Sequence, residues 1–198
     1  MQEDNIAALI LAGGQSSRMG QDKALLSWEG QPFLLRVCQV AAALTSQAYI
    51  LTPWCDRYQA VLADCYQLIR ELNPGQGPLV AFAQGLTEIQ SEWILLLACD
   101  LPLLQVDILK KWMMQLNQVP DSILAVVPHQ ESGWEPLCGF YRQTALPPLQ
   151  DFIEAGGRSF QRWLSQIPTL PLSVGQPELQ MLANCNTPEE FVKLKTNQ

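Results

Sequence analysis

Paired glycines, two cations and a distant aspartate are the residues of this chain whose types and order could do chemistry. Gly13 and Gly14 follow the short apolar run Ile6 to Leu11, Arg18 and Lys23 come next, and Asp100 stands directly behind a second apolar run, Trp93 to Cys99. Glycines just past the C-terminal end of a buried strand let backbone N–H groups turn inward toward an anion that a side chain would hold off. Arg18 and Lys23 add full charges where the backbone supplies only dipoles, so Leu11 to Lys23 reads as a cradle for a triphosphate. Asp100 should emerge at the C-terminal edge of a central strand, where ligands bind open α/β sheets. Mg²⁺ usually takes only one or two carboxylates and keeps phosphate oxygens and waters for its other positions, so one aspartate there suffices as an anchor.

Spacing excludes two other phosphate loops. A Walker A loop opening at Gly14 would need glycine and lysine where the chain has Met19 and Gly20. The dinucleotide fingerprint fails from either Gly13 or Gly14. L-A-G-G-x-S-x-R-M-G-x-D-K after a strand instead closely resembles the signature of nucleotidyltransferases that bind a nucleoside triphosphate in a Rossmann-like domain, most closely the molybdenum cofactor guanylyltransferases. The resemblance implies transfer of GMP from GTP to the terminal phosphate of molybdopterin or its molybdenum-loaded form, with Mg²⁺ as cofactor and pyrophosphate released. It implies Arg18, Lys23 and Asp100 as catalytic residues, with Asp100 on the metal.

Further segments extend the resemblance. Asn73-Pro74-Gly75-Gln76-Gly77-Pro78-Leu79 is similar to the family's glycine-rich loop before G-P-L, associated with the base, and Glu71 falls near a position where relatives carry aspartate. The implied GTP contacts are therefore Leu11, Ala12, Gly13, Gly14, Lys23, Glu71, Gly77, Pro78, Leu79 and Asp100. Thr52 lies where some relatives have asparagine against the nucleotide. Gly133 to Arg142 and Gly156 to Leu164 resemble the family's P-L-x-x-x-Y-R and R-S-x-x-x-x-L segments, which should border the acceptor pocket. Arg158 and Ser159, at a glycine-to-helix junction, suit an incoming phosphate, and Asn184 and Asn186 resemble the family's N-x-N-T-P segment. Asx turns and caps prefer asparagine too, so both readings of that pair stay open. Trp134 and Trp163 suit the core better than a pterin stack, and Arg162 suits a solvated surface. His129 has no nucleophile motif around it.

Two rival readings share these residues. A related cytidylyltransferase, or an enzyme with a sugar-phosphate acceptor, would use the same fold and phosphate chemistry; paired Gly13-Gly14 favours guanine by resemblance, cytidylyl relatives tending to alanine then glycine. A nucleotide-binding regulator without turnover is the other.

The elements that must position these residues alternate between apolar runs and helical periods, the pattern of an α/β fold with a mostly parallel central sheet and helices on both faces. Strands are expected near Ile6–Leu11, Ala48–Thr52, Gln67–Ile69, Trp93–Ala98, Ile123–Val127, Leu137–Tyr141 and Gln180–Ala183. Helices are expected after Pro32 and Pro78, over Leu103 to Leu116 and Phe160 to Leu164, and after Thr187-Pro188. The proline-rich stretches Ala145 to Leu149 and Ile167 to Pro177 read as loops. With 198 residues, 48% hydrophobic and 16% charged, the chain suits one Rossmann-like domain over residues 1–198. A net charge of -7 argues against a nucleic-acid partner but not against GTP, since two cations and a metal can concentrate positive potential locally. No apolar run reaches the ~20 residues of a membrane helix. The acidic start is unlike a signal peptide, so a cytoplasmic location is expected. Six cysteines without a C-x-x-C pair read as reduced packing residues. The resemblance also leaves room for transient contacts with cofactor-biosynthesis or molybdoenzyme-maturation proteins.

Overall fold

Two runs of six buried residues, Ile6–Leu11 and Trp93–Ala98, lie side by side in parallel, paired from Ile6↔Trp93 to Leu11↔Ala98. Continuous apolar sequence is what a strand covered on both faces requires. Around this pair the computed structural model describes residues 5–14, 22–62 and 66–183. In chain order the strands are β1 (Ile6–Leu11), β2 (Ser27–Trp28), β3 (Gln31–Pro32), β4 (Ala48–Thr52), β5 (Gln67–Arg70), β6 (Trp93–Ala98), β7 (Ala125–Gln130), β8 (Gly133–Trp134), β9 (Cys138–Arg142) and β10 (Thr169–Leu172). The helices are α1 (Phe33–Ala42), α2 (Cys55–Gln59), α3 (Pro78–Glu88), α4 (Val106–Gln115), α5 (Leu146–Glu154), α6 (Phe160–Leu164) and α7 (Gln176–Met181).

The main sheet runs β10-β7-β9-β6-β1-β4-β5, with β8 paired to the end of β7. Every pairing from β6 to β5 is parallel, while β9 is antiparallel to both β6 and β7. The ends of β1, β4, β5, β6 and β7 therefore share one edge.

Alternate residues of each strand face opposite ways. Ile6, Ala8, Ile10, Leu95 and Leu97 pack with Val37 and Ala41 of α1, Tyr58 of α2, Leu109 and Trp112 of α4 and Met181 of α7. Ala7, Leu9, Ile94 and Leu96 pack with Phe82 and Leu86 of α3, Leu149 of α5, and Phe160 and Trp163 of α6. Helices thus cover both faces, as the alternating sequence pattern predicts. α3 lies directly on β1 at Gly85, where an added Cβ would collide with Leu9.

Three expectations are corrected. Gln180–Ala183 is not a strand: α7 occupies Gln176–Met181, with Pro177 in its first turn and the Glu178 carboxylate accepting the Gly175 N–H at 2.9 Å. The stretch from Ala145 to Leu149 is not a loop, because Pro147 and Pro148 sit in the first turn of α5, where a missing N–H costs nothing. Ile167 to Pro177 contains β10, an edge strand that tolerates Pro171 because its outer side needs no donor. The helix expected after Thr187-Pro188 lies outside the described residues, and none of the described helices is long and apolar enough to cross a membrane.

Candidate active site

The chain leaves β1 through Ala12 and Gly13 with its backbone held on both sides. The Ala12 N–H donates to the Leu51 carbonyl (3.0 Å) and the Cys99 N–H to that of Leu11 (3.2 Å), so the glycine loop opens between the exits of β4 and β6. Buried Thr52 donates its hydroxyl to the Ala12 carbonyl (2.8 Å) and accepts the Trp54 N–H (3.1 Å). Its side chain is occupied in fixing the start of the loop, which is a different task from the nucleotide contact its position suggested.

Lys23 opens a 3-10 turn, Lys23–Leu25, whose cap is Asp22: the Asp22 carboxylate accepts the Ala24 N–H at 3.1 Å. From this turn the Lys23 ammonium reaches Asp100 Oδ2 at 2.6 Å, across 77 positions of sequence. The other oxygen, Asp100 Oδ1, is buried without a hydrogen-bond partner. A buried carboxylate oxygen left bare costs free energy, so an orphan in this position marks where something else belongs. A divalent cation fits it chemically, because Mg²⁺ takes only one or two carboxylate oxygens and fills its other positions with phosphate oxygens and water. Among the described residues no three His, Cys, Asp or Glu side chains converge as a metal cage, at Asp100 or elsewhere.

Glu71 follows β5 and is held by its N–H on the Thr52 carbonyl at 2.9 Å. Its carboxylate lies against Gly13: an added Cβ there would collide with Glu71 Oε2 and stand 3.3 Å from its Cδ. Gly13 is not among the residues with positive φ, so what position 13 requires is space rather than a glycine-only backbone. Glu71 Oε2 is a second buried oxygen without a partner, and burial pushes this carboxyl above the usual range. Gln84 of α3 splints the segment, accepting the Leu72 N–H (2.9 Å) and donating to the Arg70 carbonyl (2.8 Å). Gly77 caps α3 at φ 92°, a left-handed conformation that favours glycine, and Pro78 occupies the first turn. Leu79 packs its side chain wholly in the core, so only its backbone is available at the helix start.

Beyond β6 the same edge continues into the β7–β8 hairpin. The Ala98 N–H donates to the Leu137 carbonyl at 2.9 Å, which brings the Glu135-Pro136-Leu137 turn beside the exit of β6. Glu135 accepts Gln130 Nε2 at 3.1 Å and is also pushed up by burial. Gln161 of α6 bonds both backbone groups of Trp134, at 2.9 and 2.7 Å, docking α6 on the hairpin. Arg158, just before α6, turns its guanidinium onto the Ile153 and Gly157 carbonyls (2.9 and 2.7 Å), closing the C-terminal end of α5. Ser159 caps α6 by accepting the Arg162 N–H at 3.4 Å. Trp163 is core, stacked on Tyr141 with centroids 5.9 Å apart, whereas Trp134 is half-buried with His129 edge-on at 4.4 Å. His129 sits near the end of β7.

The expected acceptor segment Gly133 to Arg142 divides. Its first half borders the edge, but β9 carries Arg142 to the opposite end of the sheet, opposite Trp93. There it binds Glu92 at 2.6 Å and stacks on Trp93 at 4.3 Å, a structural role. Arg18, Asn184 and Asn186 lie outside the described residues. The roles of Asp22, Gln84 and Glu135 were missed. Asp22 was detectable as a polar residue before a turn, while Gln84 and Glu135 depend on partners no spacing rule selects.

The family described as MobA-like NTP transferase domain matches residues 8–169. A protein of Trichormus variabilis described as "Probable molybdenum cofactor guanylyltransferase" is 50% identical over 192 residues, 97% of this chain and 91% of that protein. A protein of Synechococcus elongatus with the same description is 45% identical, covering 96% of this chain and 98% of that one. Among solved structures, molybdopterin-guanine dinucleotide biosynthesis protein A from Archaeoglobus fulgidus superposes with a TM-score of 0.79 at 20% identity, over 96% of this chain and 97% of that one, a likeness of fold.

Proposed function

The chain belongs to the MobA-like NTP transferase family and is a nucleotidyltransferase, and from that membership we propose how it acts as a molybdenum cofactor guanylyltransferase. It transfers GMP from GTP to the terminal phosphate of molybdopterin, releasing pyrophosphate and forming a guanine dinucleotide. The observation that carries the residue assignments is the meeting of Lys23, in the turn that follows the glycine loop, with Asp100 at the exit of β6, 2.6 Å apart, with one Asp100 oxygen still bare.

An acceptor oxygen attacks the α-phosphorus of GTP as the bond to the pyrophosphate oxygen breaks. The acceptor phosphate is already anionic near neutral pH, so alignment and charge neutralisation carry the step without a general base. Lys23, with Arg18, stabilises the triphosphate and the departing pyrophosphate. Asp100 would hold Mg²⁺ through its bare oxygen, and the bound ion would supply positive charge against the triphosphate. Leu11, Ala12, Gly13 and Gly14 supply backbone to the triphosphate, and Glu71 with Gly77, Pro78 and the Leu79 backbone borders the base. The Glu71 carboxylate complements the donor-rich edge of guanine. Arg158 and Ser159, with Asn184 and Asn186, are assigned to acceptor binding by the family resemblance of their segments.

Mixing the protein with molybdopterin, Mg²⁺ and each of GTP, CTP, ATP and UTP tests this reading. Pyrophosphate release with GTP far above the others is expected. Preference for CTP, or GTP binding without pyrophosphate release, would overturn it.

A further inference from the structure

We infer that the segment from Thr52 to Tyr58 clasps both ends of the nucleotide loop, and that Tyr58 is a positioning residue acting through Lys23. The inference rests on the guanylyl-transfer reading above. At the loop's entry, Thr52 bonds the Ala12 carbonyl and hands its second lone pair to Trp54, the residue that caps α2. At the loop's exit, the same short helix grips Asp22. The Tyr58 hydroxyl lies 3.0 and 3.1 Å from the two Asp22 oxygens, and Arg57 Nη1 lies 2.8 Å from Oδ2. Arg57 is itself seated over the Trp54 ring, 5.3 Å from its centroid.

These contacts leave Asp22 little to do except position. Its carboxylate already takes the Ala24 N–H, the Tyr58 hydroxyl and the Arg57 guanidinium, so it is matched by donors instead of offering a bare oxygen as Asp100 does. Tyr58 is buried, and burial together with the Asp22 charge pushes its phenol far above the usual range, which keeps it a hydrogen donor. A carboxylate pinned at the cap fixes the turn, and the turn sets where the Lys23 ammonium stands against Asp100. Loss of one preorganised contact at this distance lets the lysine wander without removing its charge, and catalysis by charge placement is sensitive to displacements of that kind.

Tyr58→Phe keeps the ring and removes the hydroxyl; Arg57→Gln, on a half-exposed residue, keeps the fold should the buried change disturb it. For each, kcat and the KM for GTP and for molybdopterin are measured in the wild-type and Lys23→Ala backgrounds, with thermal unfolding alongside. Expected is about a tenfold fall in GTP-side kcat/KM for Tyr58→Phe and a smaller fall for Arg57→Gln, with the molybdopterin KM unchanged. Both falls should vanish once Lys23 is alanine, because a residue acting through a partner has no effect when the partner is gone. The same fractional losses in the Lys23→Ala background, or wild-type kinetics for both variants, would overturn the clasp. Absence of guanylyl transfer by the unaltered protein would instead defeat the parent reading.

Discussion

Gly13→Ala isolates the contact between the glycine loop and the base-side carboxylate. Backbone strain does not enter, since Gly13 lies outside the positive-φ region. The new methyl would collide with Glu71 Oε2 and stand 3.3 Å from Cδ, tighter than ordinary carbon contact. The backbone on both sides is fixed by the Ala12 to Leu51 and Glu71 to Thr52 hydrogen bonds, so the carboxylate is the part that must swing away. If that carboxylate receives the guanine edge, the change forfeits a charge-assisted hydrogen bond, worth about 1.5–3 kcal/mol. That corresponds to about 10- to 150-fold in kcat/KM for GTP. CTP, which makes no such contact in this reading, should lose much less. The assay is the ratio of kcat/KM values for GTP and CTP, which cancels any loss common to both. Glu71→Ala should reproduce the fall in that ratio, and Gly13→Ala added to it should change the ratio no further. An unchanged ratio in Gly13→Ala, with both nucleotides weakened equally, would refute the argument and confine Gly13 to the phosphate cradle.

Asp100→Asn replaces the anchoring oxygen by an amide and should lower kcat by roughly 10²-fold or more at limiting Mg²⁺; wild-type turnover there would remove Asp100 from the metal. Arg158→Ala should raise the KM for molybdopterin while leaving that for GTP unchanged, whereas a lower unfolding temperature with normal kinetics would leave only its closure of α5. Glu71→Gln tests the buried carboxyl by pH. A carboxyl whose folded-state titration lies above its unfolded value favours folding while protonated and loses that contribution as pH rises through the folded value. The glutamine variant should therefore unfold at a higher temperature than wild type above that range and converge with it in acid. Parallel curves across pH would show that Glu71 is not desolvated in solution.

The sequence made the centre of the molecule legible because both signals there are local. β1 and β6 are unbroken apolar runs ending at Ala12 and Cys99, so the glycines and Asp100 could be placed on one edge without coordinates. Proline misled in both directions: it starts α5 and α7 and sits in the edge strand β10, three positions where its missing donor is harmless. The resemblance assigned Lys23 and Asp100 to one site, but it gave neither their direct contact nor the occupation of Thr52 by Ala12, since an ammonium or a buried hydroxyl reads the same whichever oxygen it finds. Arg142 shows the limit of motif transfer. It shares a segment with Glu135, yet an antiparallel strand between them puts the two at opposite ends of the sheet.

The span of 77 residues between Lys23 and Asp100 also bears on how the protein is made. β1 and β4 are joined through β2, β3 and α1, whereas β6 pairs with the other side of β1 only across a long stretch of chain, a non-local contact of the kind that forms slowly. Until it does, the cradle lacks its acidic counterpart, and a nascent chain shorter than about one hundred residues has no complete site to offer a nucleotide. Ligand affinity therefore serves as a clock for assembly of the sheet's centre. In refolding experiments, nucleotide binding should appear in step with protection of β6 amides from exchange, and not with the earlier protection of β1 and β4.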